Sequence, residues 1–320
     1  MFPGAKAVGT LVFATAGVEA DLPGLGVIRR GLVDDAYVRS ALPARPLNAN
    51  KGTFGKVLVV GGSSHYVGAP GLAARAAYRM GAGLVTVAAP RAVTSILAAG
   101  ISEPTWLPCD ELNGTIAQGA LSPLLEALPQ YDALVLGPGL GQGPQMPQLI
   151  TGLMGKASEL DCPVIVDADA LNALATVNNW PSFLPQHAVL TPHPGEMSRL
   201  TGLSIESIQE NRLEIAQEYA TQWNTTVLLK GAHTVIASPD RLSVLPYKSS
   251  ALSTAGTGDV LAGMIGALLG QRLSPHDAAA AAGYLHGLSG VHAAGGSDRS
   301  VMAGDLIDAL RDVLRQIEAL

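Results

Sequence analysis

One short run gathers the groups that chemistry on a phosphate would need. In Ser253-Thr254-Ala255-Gly256-Thr257-Gly258-Asp259-Val260-Leu261 a glycine turn opens directly into an apolar stretch of helical character. The first N–H groups of a helix lack intrahelical acceptors and sit at the positive end of its dipole. Gly256, Thr257 and Gly258 therefore form a candidate anion hole. Asp259 falls in the first turn, where its carboxylate could take a proton from a substrate hydroxyl. Taken alone, the run is explained equally well by a capped helix behind a flexible turn.

Other motifs place polar groups beside glycine-rich strand ends. Gly61-Gly62-Ser63 and Gly68-Ala69-Pro70 follow one apolar run, and Leu136-Gly137-Pro138-Gly139-Leu140-Gly141 ends another. Glycines there let backbone approach a ligand closely, though a single glycine needs no more than a positive φ. In Thr191-Pro192-His193-Pro194-Gly195-Glu196 two prolines fix His193 at a strand end, and Glu196 lies one helical turn later. The carboxylate of Glu196 could orient hydrated Mg²⁺, or simply sit at the positive end of a helix. Asp167 and Asp169, two apart and followed by Asn172, could supply a helix cap and a ligand contact. Lys230-Gly231-Ala232-His233-Thr234 joins two strand candidates and could hold a nucleotide, or be an ordinary hairpin turn.

The elements that must position these residues alternate. Apolar runs at 56–60, 84–88, 133–136, 164–166, 188–190, 226–229 and 234–237 read as strands, most of them apolar throughout, as in parallel sheets covered on both faces. Helices are expected at 69–80, 121–128, 168–175 and 205–222, with three more at 257–270, 276–293 and 305–317. This order predicts an α/β fold, a doubly wound, mostly parallel sheet with ligands at the carboxyl ends of its strands. Residues 1–47 break the pattern and read as a connector with little core of its own.

Composition narrows the function classes. The 320 residues are 48% hydrophobic and 14% charged, with 37 glycines and a net charge of −6. Such a composition can bury an extensive core and argues against disorder. With 4% aromatics and no basic run, no nucleic-acid partner is expected. No apolar stretch is long enough to span a membrane. Lys6 and the apolar run 8–16 imitate a signal peptide only superficially. Cys109 and Cys162 form no CxxC pair and suit a reducing, cytoplasmic setting. Neither GxxxxGK[ST] nor a strand-borne GxGxxG is present.

In order, the motifs resemble the ADP-dependent NAD(P)H-hydrate dehydratase family, a branch of the ribokinase-like superfamily. The similarity runs in register over residues 48–318, through Lys51-Gly52-Thr53-Phe54-Gly55-Lys56-Val57, Gly83-Leu84-Val85-Thr86-Val87 and the motifs above at 137–141, 167–172, 191–196, 230–234 and 256–261. It implies a ribokinase-like fold and ADP-dependent dehydration of (6S)-NADHX and NADPHX to NADH and NADPH, with AMP and phosphate released. By match, the hydrated nicotinamide nucleotide would contact Ala69, Gly139, His193 and Asp259, with Asp259 as catalytic base. ADP would be held by Lys230, Gly231, Ala232, His233, Thr234 and Gly258, and Mg²⁺ would lie near Glu196. A homo-oligomer, a tetramer or larger, is also implied. The sequence departs from the family pattern at Ala255, often glycine, and at Asn48-Ala49-Asn50, where a Ser-His sequence is common.

Residues 1–24 resemble the last strand region of an NAD(P)HX epimerase domain. The expected organisation is an epimerase remnant and linker at 1–47 and a dehydratase domain at 48–320. The alternative function on the same fold is an ATP-dependent small-molecule kinase.

Overall fold

The computed structural model describes residues 28–319, so the expected epimerase remnant at 1–24 lies outside the described residues. The strands are β1 (Arg30–Leu32), β2 (Lys56–Val60), β3 (Leu84–Pro90), β4 (Thr105–Cys109), β5 (Glu111–Leu112), β6 (Thr115–Ile116), β7 (Ala133–Leu136), β8 (Val164–Val166), β9 (Ala188–Leu190), β10 (Thr226–Leu229), β11 (Val235–Ser238) and β12 (Arg241–Val244). The helices are α1 (Asp35–Ala41), α2 (Ala69–Arg79), α3 (Arg91–Ala98), α4 (Leu121–Ala127), α5 (Met146–Glu159), α6 (Asp169–Leu174), α7 (Pro194–Thr201), α8 (Ile205–Glu210), α9 (Arg212–Gln222), α10 (Thr257–Gly270), α11 (Pro275–Ala294) and α12 (Ala303–Ala319). Ten strands form one sheet in the order β1-β12-β11-β10-β9-β8-β7-β2-β3-β4, and β5–β6 is a separate ribbon. In the large sheet only β11 runs antiparallel to its neighbours.

The apolar runs owe their continuity to burial on both faces. Side chains alternate across a strand, and two cores separate along that alternation. Val57, Val59, Ala133, Val135, Ile165 and Val189 face α2, α10, α11 and α12. Leu58, Val60, Leu134, Leu136, Val164, Val166 and Leu190 face α4, α5, α6, α7 and α9. The result is a helix–sheet–helix sandwich.

α10 is apolar nearly all round and buried from Val260 to Gly270, as a helix enclosed by protein must be. Its small residues set its distance from its neighbours. A Cβ on Gly263 would stand 2.0 Å from the carbonyl oxygen of Ala73 on α2, and one on Gly266 would stand 2.5 Å from Val135 in β7. Its far end, Gly270, meets Gly55 just before β2, so its first residues lie at the carboxyl ends of the strands. The chain order reverses between β2 and β7, which opens a crevice at those same ends.

The structure adjusts several boundaries. The helix expected at 205–222 is two, parted at Asn211 with φ −122° and ψ 40°. Neither Asp167 nor Asp169 caps α6; Ala168 holds the cap position with φ 49° and ψ −120°. The connector expected before residue 48 contains β1, paired with β12, and α1, whose Val38 is buried with Val33 in the first core.

Candidate active site

Three adjacent parallel strands deliver the central charges. Asp167 follows β8, Thr191 follows β9 and Lys230 follows β10, so parallel register brings them to one level. The Lys230 ammonium donates to Asp167 Oδ1 at 2.7 Å and lies 3.6 Å from Glu196 Oε2. The Thr191 hydroxyl donates to the same Asp167 oxygen at 2.7 Å. Asp167 is 1% exposed, yet its Oδ2 has no hydrogen-bond partner. Such an oxygen is costly unless a donor reaches it, and it lies beside Gly258, whose added Cβ would be 4.0 Å away.

Asp259 opens the facing helix. Burial is the main reason its carboxyl is pushed up to about 7; the Asp167 carboxylate adds to this and the Lys230 ammonium opposes it. A carboxyl tuned to neutrality suits a general base. Burial alone would lower the Lys230 ammonium, but Asp167, Glu196 and Asp259 outweigh it and hold the lysine charged.

The expected anion hole is built in part. Gly256, at φ 93°, turns the chain into α10, and among the described residues no backbone acceptor is found for the N–H of Gly258 or Asp259. The N–H of Thr257 leans instead toward the Thr254 carbonyl at 3.4 Å. From behind, the buried His286 donates Nε2–H to the Thr257 carbonyl at 2.8 Å. Burial lowers that imidazole to about 4, which keeps it neutral.

His193 and Glu196 form a capping box on α7. His193 Nδ1 accepts from the N–H groups of Gly195 and Glu196 at 3.0 and 3.3 Å, and Glu196 Oε2 accepts from the His193 N–H at 2.7 Å. The accepting Nδ1 requires a neutral ring with its proton on Nε2. Burial, then the positive charges of Lys230 and Arg199, lower the His193 pKa in agreement. Burial raises the Glu196 carboxyl against the pull of Lys230.

Ala69 and Gly139 meet across the crevice. A Cβ at Gly139 would stand 2.8 Å from that of Ala69 and 2.6 Å from that of Tyr66, at a φ of +61°. Gly62 N–H ties the two loops by donating to the Pro138 carbonyl at 2.8 Å. Gly139→Val should therefore cost about 1–3 kcal/mol of stability, read from the urea midpoint. An unchanged midpoint would show that the loop yields freely.

The Lys230–Thr234 turn closes the β10–β11 hairpin, and its side chains mostly hold the turn itself. Thr234 Oγ1 donates to the Gly231 carbonyl at 2.8 Å, and the His233 N–H reaches the Tyr247 carbonyl. Behind it lies Arg212 on α9, which gave no signal in the sequence. Its Nη2 donates to the carbonyls of Leu229 and Lys230 at 2.8 and 3.2 Å, and burial lowers its pKa to about 10. A Cβ on Gly231 would stand 3.0 Å from that guanidinium. Asp167 had been visible only as half of an aspartate pair, and its meeting with Lys230 is set by strand order.

The assembled groups are a carboxylate base, a fixed ammonium and free helix-end N–H groups around one crevice. They can remove a proton from a hydroxyl while stabilising an anionic phosphoryl group.

Comparison with known proteins finds that residues 57–312 match the family described as NAD(P)H-hydrate dehydratase. A bifunctional NAD(P)H-hydrate repair enzyme of Moorella thermoacetica is 46% identical over 99% of the chain, which spans 60% of that longer protein. The crystal structure of an ADP/ATP-dependent NAD(P)H-hydrate dehydratase from Bacillus subtilis, co-crystallised with ATP and Mg²⁺, has a TM-score of 0.77. It is 33% identical, with 90% of this chain and 99% of that one covered. A ribokinase-like superfamily protein from Enterococcus faecalis has a TM-score of 0.78 at 25% identity, over 90% of this chain and 96% of that one.

Proposed function

Because the chain belongs to the NAD(P)H-hydrate dehydratase family, we propose that it converts (6S)-NADHX and NADPHX to NADH and NADPH at the expense of ADP. The observation that carries this is Asp259, tuned toward neutrality at the mouth of a helix whose first N–H groups are free, 63 residues of chain having been folded back to set Lys230 against Asp167.

Asp259 takes the proton of the hydroxyl on the hydrated ring, and that oxygen attacks the terminal phosphorus of ADP. The bond to AMP breaks, and the N–H groups of Gly258 and Asp259, with Lys230, balance the charge on the moving phosphoryl group. The ring nitrogen lone pair then expels phosphate from carbon. Loss of a proton from the neighbouring carbon restores the dihydronicotinamide.

Ala69, Gly139 and His193 line the ring side, and the Lys230–Thr234 turn with Gly258 lines the nucleotide side. Among the described residues no cluster of three or more His, Cys, Asp or Glu could hold a bare metal ion. Glu196 already accepts the His193 N–H and faces the Lys230 ammonium, so it fits a hydrated Mg²⁺ met through water. Such an ion would neutralise nucleotide phosphates. Two free, buried cysteines suit a reducing cytoplasm, and no helix among the described residues is long and apolar enough to cross a membrane. The homo-oligomer belongs to the same reading.

Incubation with hydrated NADH, ADP and Mg²⁺ tests the proposal. The absorbance of NADH should return with one free phosphate and one AMP per ring. A stable phosphorylated product formed from ATP would make the chain a small-molecule kinase instead.

A further inference from the structure

α1, α7, α8 and α11 each begin on a side chain that spends a helix N–H. Asp34, His193, Ser204 and Ser274 accept the N–H groups of Tyr37, Glu196, Ser207 and Asp277. α10 begins otherwise. Gly256 holds the cap position with no side chain to offer, and the N–H groups of Gly258 and Asp259 have no acceptor among the described residues. Two glycines here also leave the backbone free to move, because glycine restrains φ and ψ least. A turn that must aim its N–H groups at a ligand therefore needs a hold other than a cap.

That hold comes from the carbonyl side. The Thr257 hydroxyl turns back on the chain and lies 2.9 Å from the Thr254 carbonyl and 2.8 Å from that of Leu252. His286, on α11, donates Nε2–H to the Thr257 carbonyl at 2.8 Å. A helix carbonyl takes one N–H from the next turn and keeps a second lone pair, which is open to His286. The peptide unit is planar and trans, so a Thr257 carbonyl pinned from behind keeps the Gly258 N–H facing the crevice. The same bond polarises that peptide and strengthens its N–H as a donor. Burial, aided by the Lys230 ammonium, keeps the imidazole uncharged, so it places no positive charge behind the helix. His276 on the same helix is also buried and uncharged. It bonds the hydroxyls of Ser238 and Ser243 instead, at 2.7 and 2.8 Å, near the opposite edge of the sheet.

We infer that His286 is a positioning residue for phosphoryl transfer. It holds the first turn of α10 by a carbonyl, so that the N–H groups of Gly258 and Asp259 stay free and aimed at the moving group. The inference rests on the dehydratase reading and adds to it a residue that never touches substrate. Asp259 rides on the same turn, so the base is aimed together with the donors. Donors of this kind act mainly on charge that develops in the transition state, and loosening them costs rate more than ground-state affinity.

Single-turnover phosphate release and calorimetric ADP titration test this, with turnover counted per ADP-binding site so that unfolded chains do not enter. His286→Leu should slow release about 10–100-fold, less than the roughly 10²–10³ for loss of a whole donor, and change ADP affinity less than about threefold. His286→Gln, whose amide N–H stands where Nε2 did, should recover most of the rate. Thr257→Val removes the other hold at nearly the same volume. It should slow release in the same manner, and it carries the test if the leucine variant does not fold. His276→Leu should lower the urea midpoint and leave turnover per site unchanged. Near-normal release without the hold, no recovery by glutamine, an equal loss of ADP affinity, or an equal slowing by His276→Leu overturns the inference. Failure of the dehydratase reading shows separately, as no phosphate release by the unsubstituted chain.

Discussion

Asp259→Asn is expected to lower turnover about a thousandfold while leaving ADP affinity nearly unchanged, since a general base contributes about 10²–10⁴ in rate. Asn keeps the size of the side chain and the free N–H groups at the start of α10, so nucleotide binding is spared. Single-turnover phosphate release and ADP titration check the two halves, and near-normal turnover would remove Asp259 from the reaction. The unsubstituted enzyme should lose activity as pH falls through about 7, because only the ionised carboxylate can accept a proton.

Stability moves the other way. The folded carboxyl sits near 7 against an ordinary 3.8, chiefly through burial, so the fold favours its neutral form. The protein is then least burdened below pH 3.8 and loses stability as pH rises through 7. At pH 8, Asp259→Asn should melt about 2–4 °C higher than the parent.

Lys230→Met should be the most damaging change to the fold. It leaves Asp167, 1% exposed, with a buried charge and only the Thr191 hydroxyl to answer it. Breaking a buried pair from one side costs about 3–5 kcal/mol. The carboxyls of Glu196 and Asp259, both held down by this ammonium, should titrate higher still, so that little base remains at neutral pH. Asp167→Asn added to Lys230→Met should restore much of the stability and none of the activity. A loss under about 1 kcal/mol for Lys230→Met in urea unfolding would show that solvent reaches the pair.

The fold was legible where burial is uniform. β2, β7, β8, β9 and β10 are apolar on both faces, and α10 is apolar nearly all round, so composition and length alone mark them. Edges were not. β4 mixes exposed and buried positions and contains Pro108, and β1 is three exposed residues. α5 has Pro147 in its first turn and carries Gly152 and Gly155, which disguise its helical spacing. Motifs mark the loops that the strand ends bring together, but not which side chains meet. Asp167 and Lys230 come together through strand order, and Arg212 looks like any helical arginine until α9 is laid against the end of β10.

α10 packs against Ala73 through Gly263, which the ribosome adds some 190 residues later. At about 5–20 residues per second, the apolar face of β2 and α2 waits roughly 10–40 seconds without its covering helix. During that time neither Asp259 nor the unpaired N–H groups at the start of α10 are present, because both arrive on the same helix. The nascent chain is thus most prone to aggregate while the proposed site is still unfinished, and completing the core and completing that site become a single late event in its synthesis.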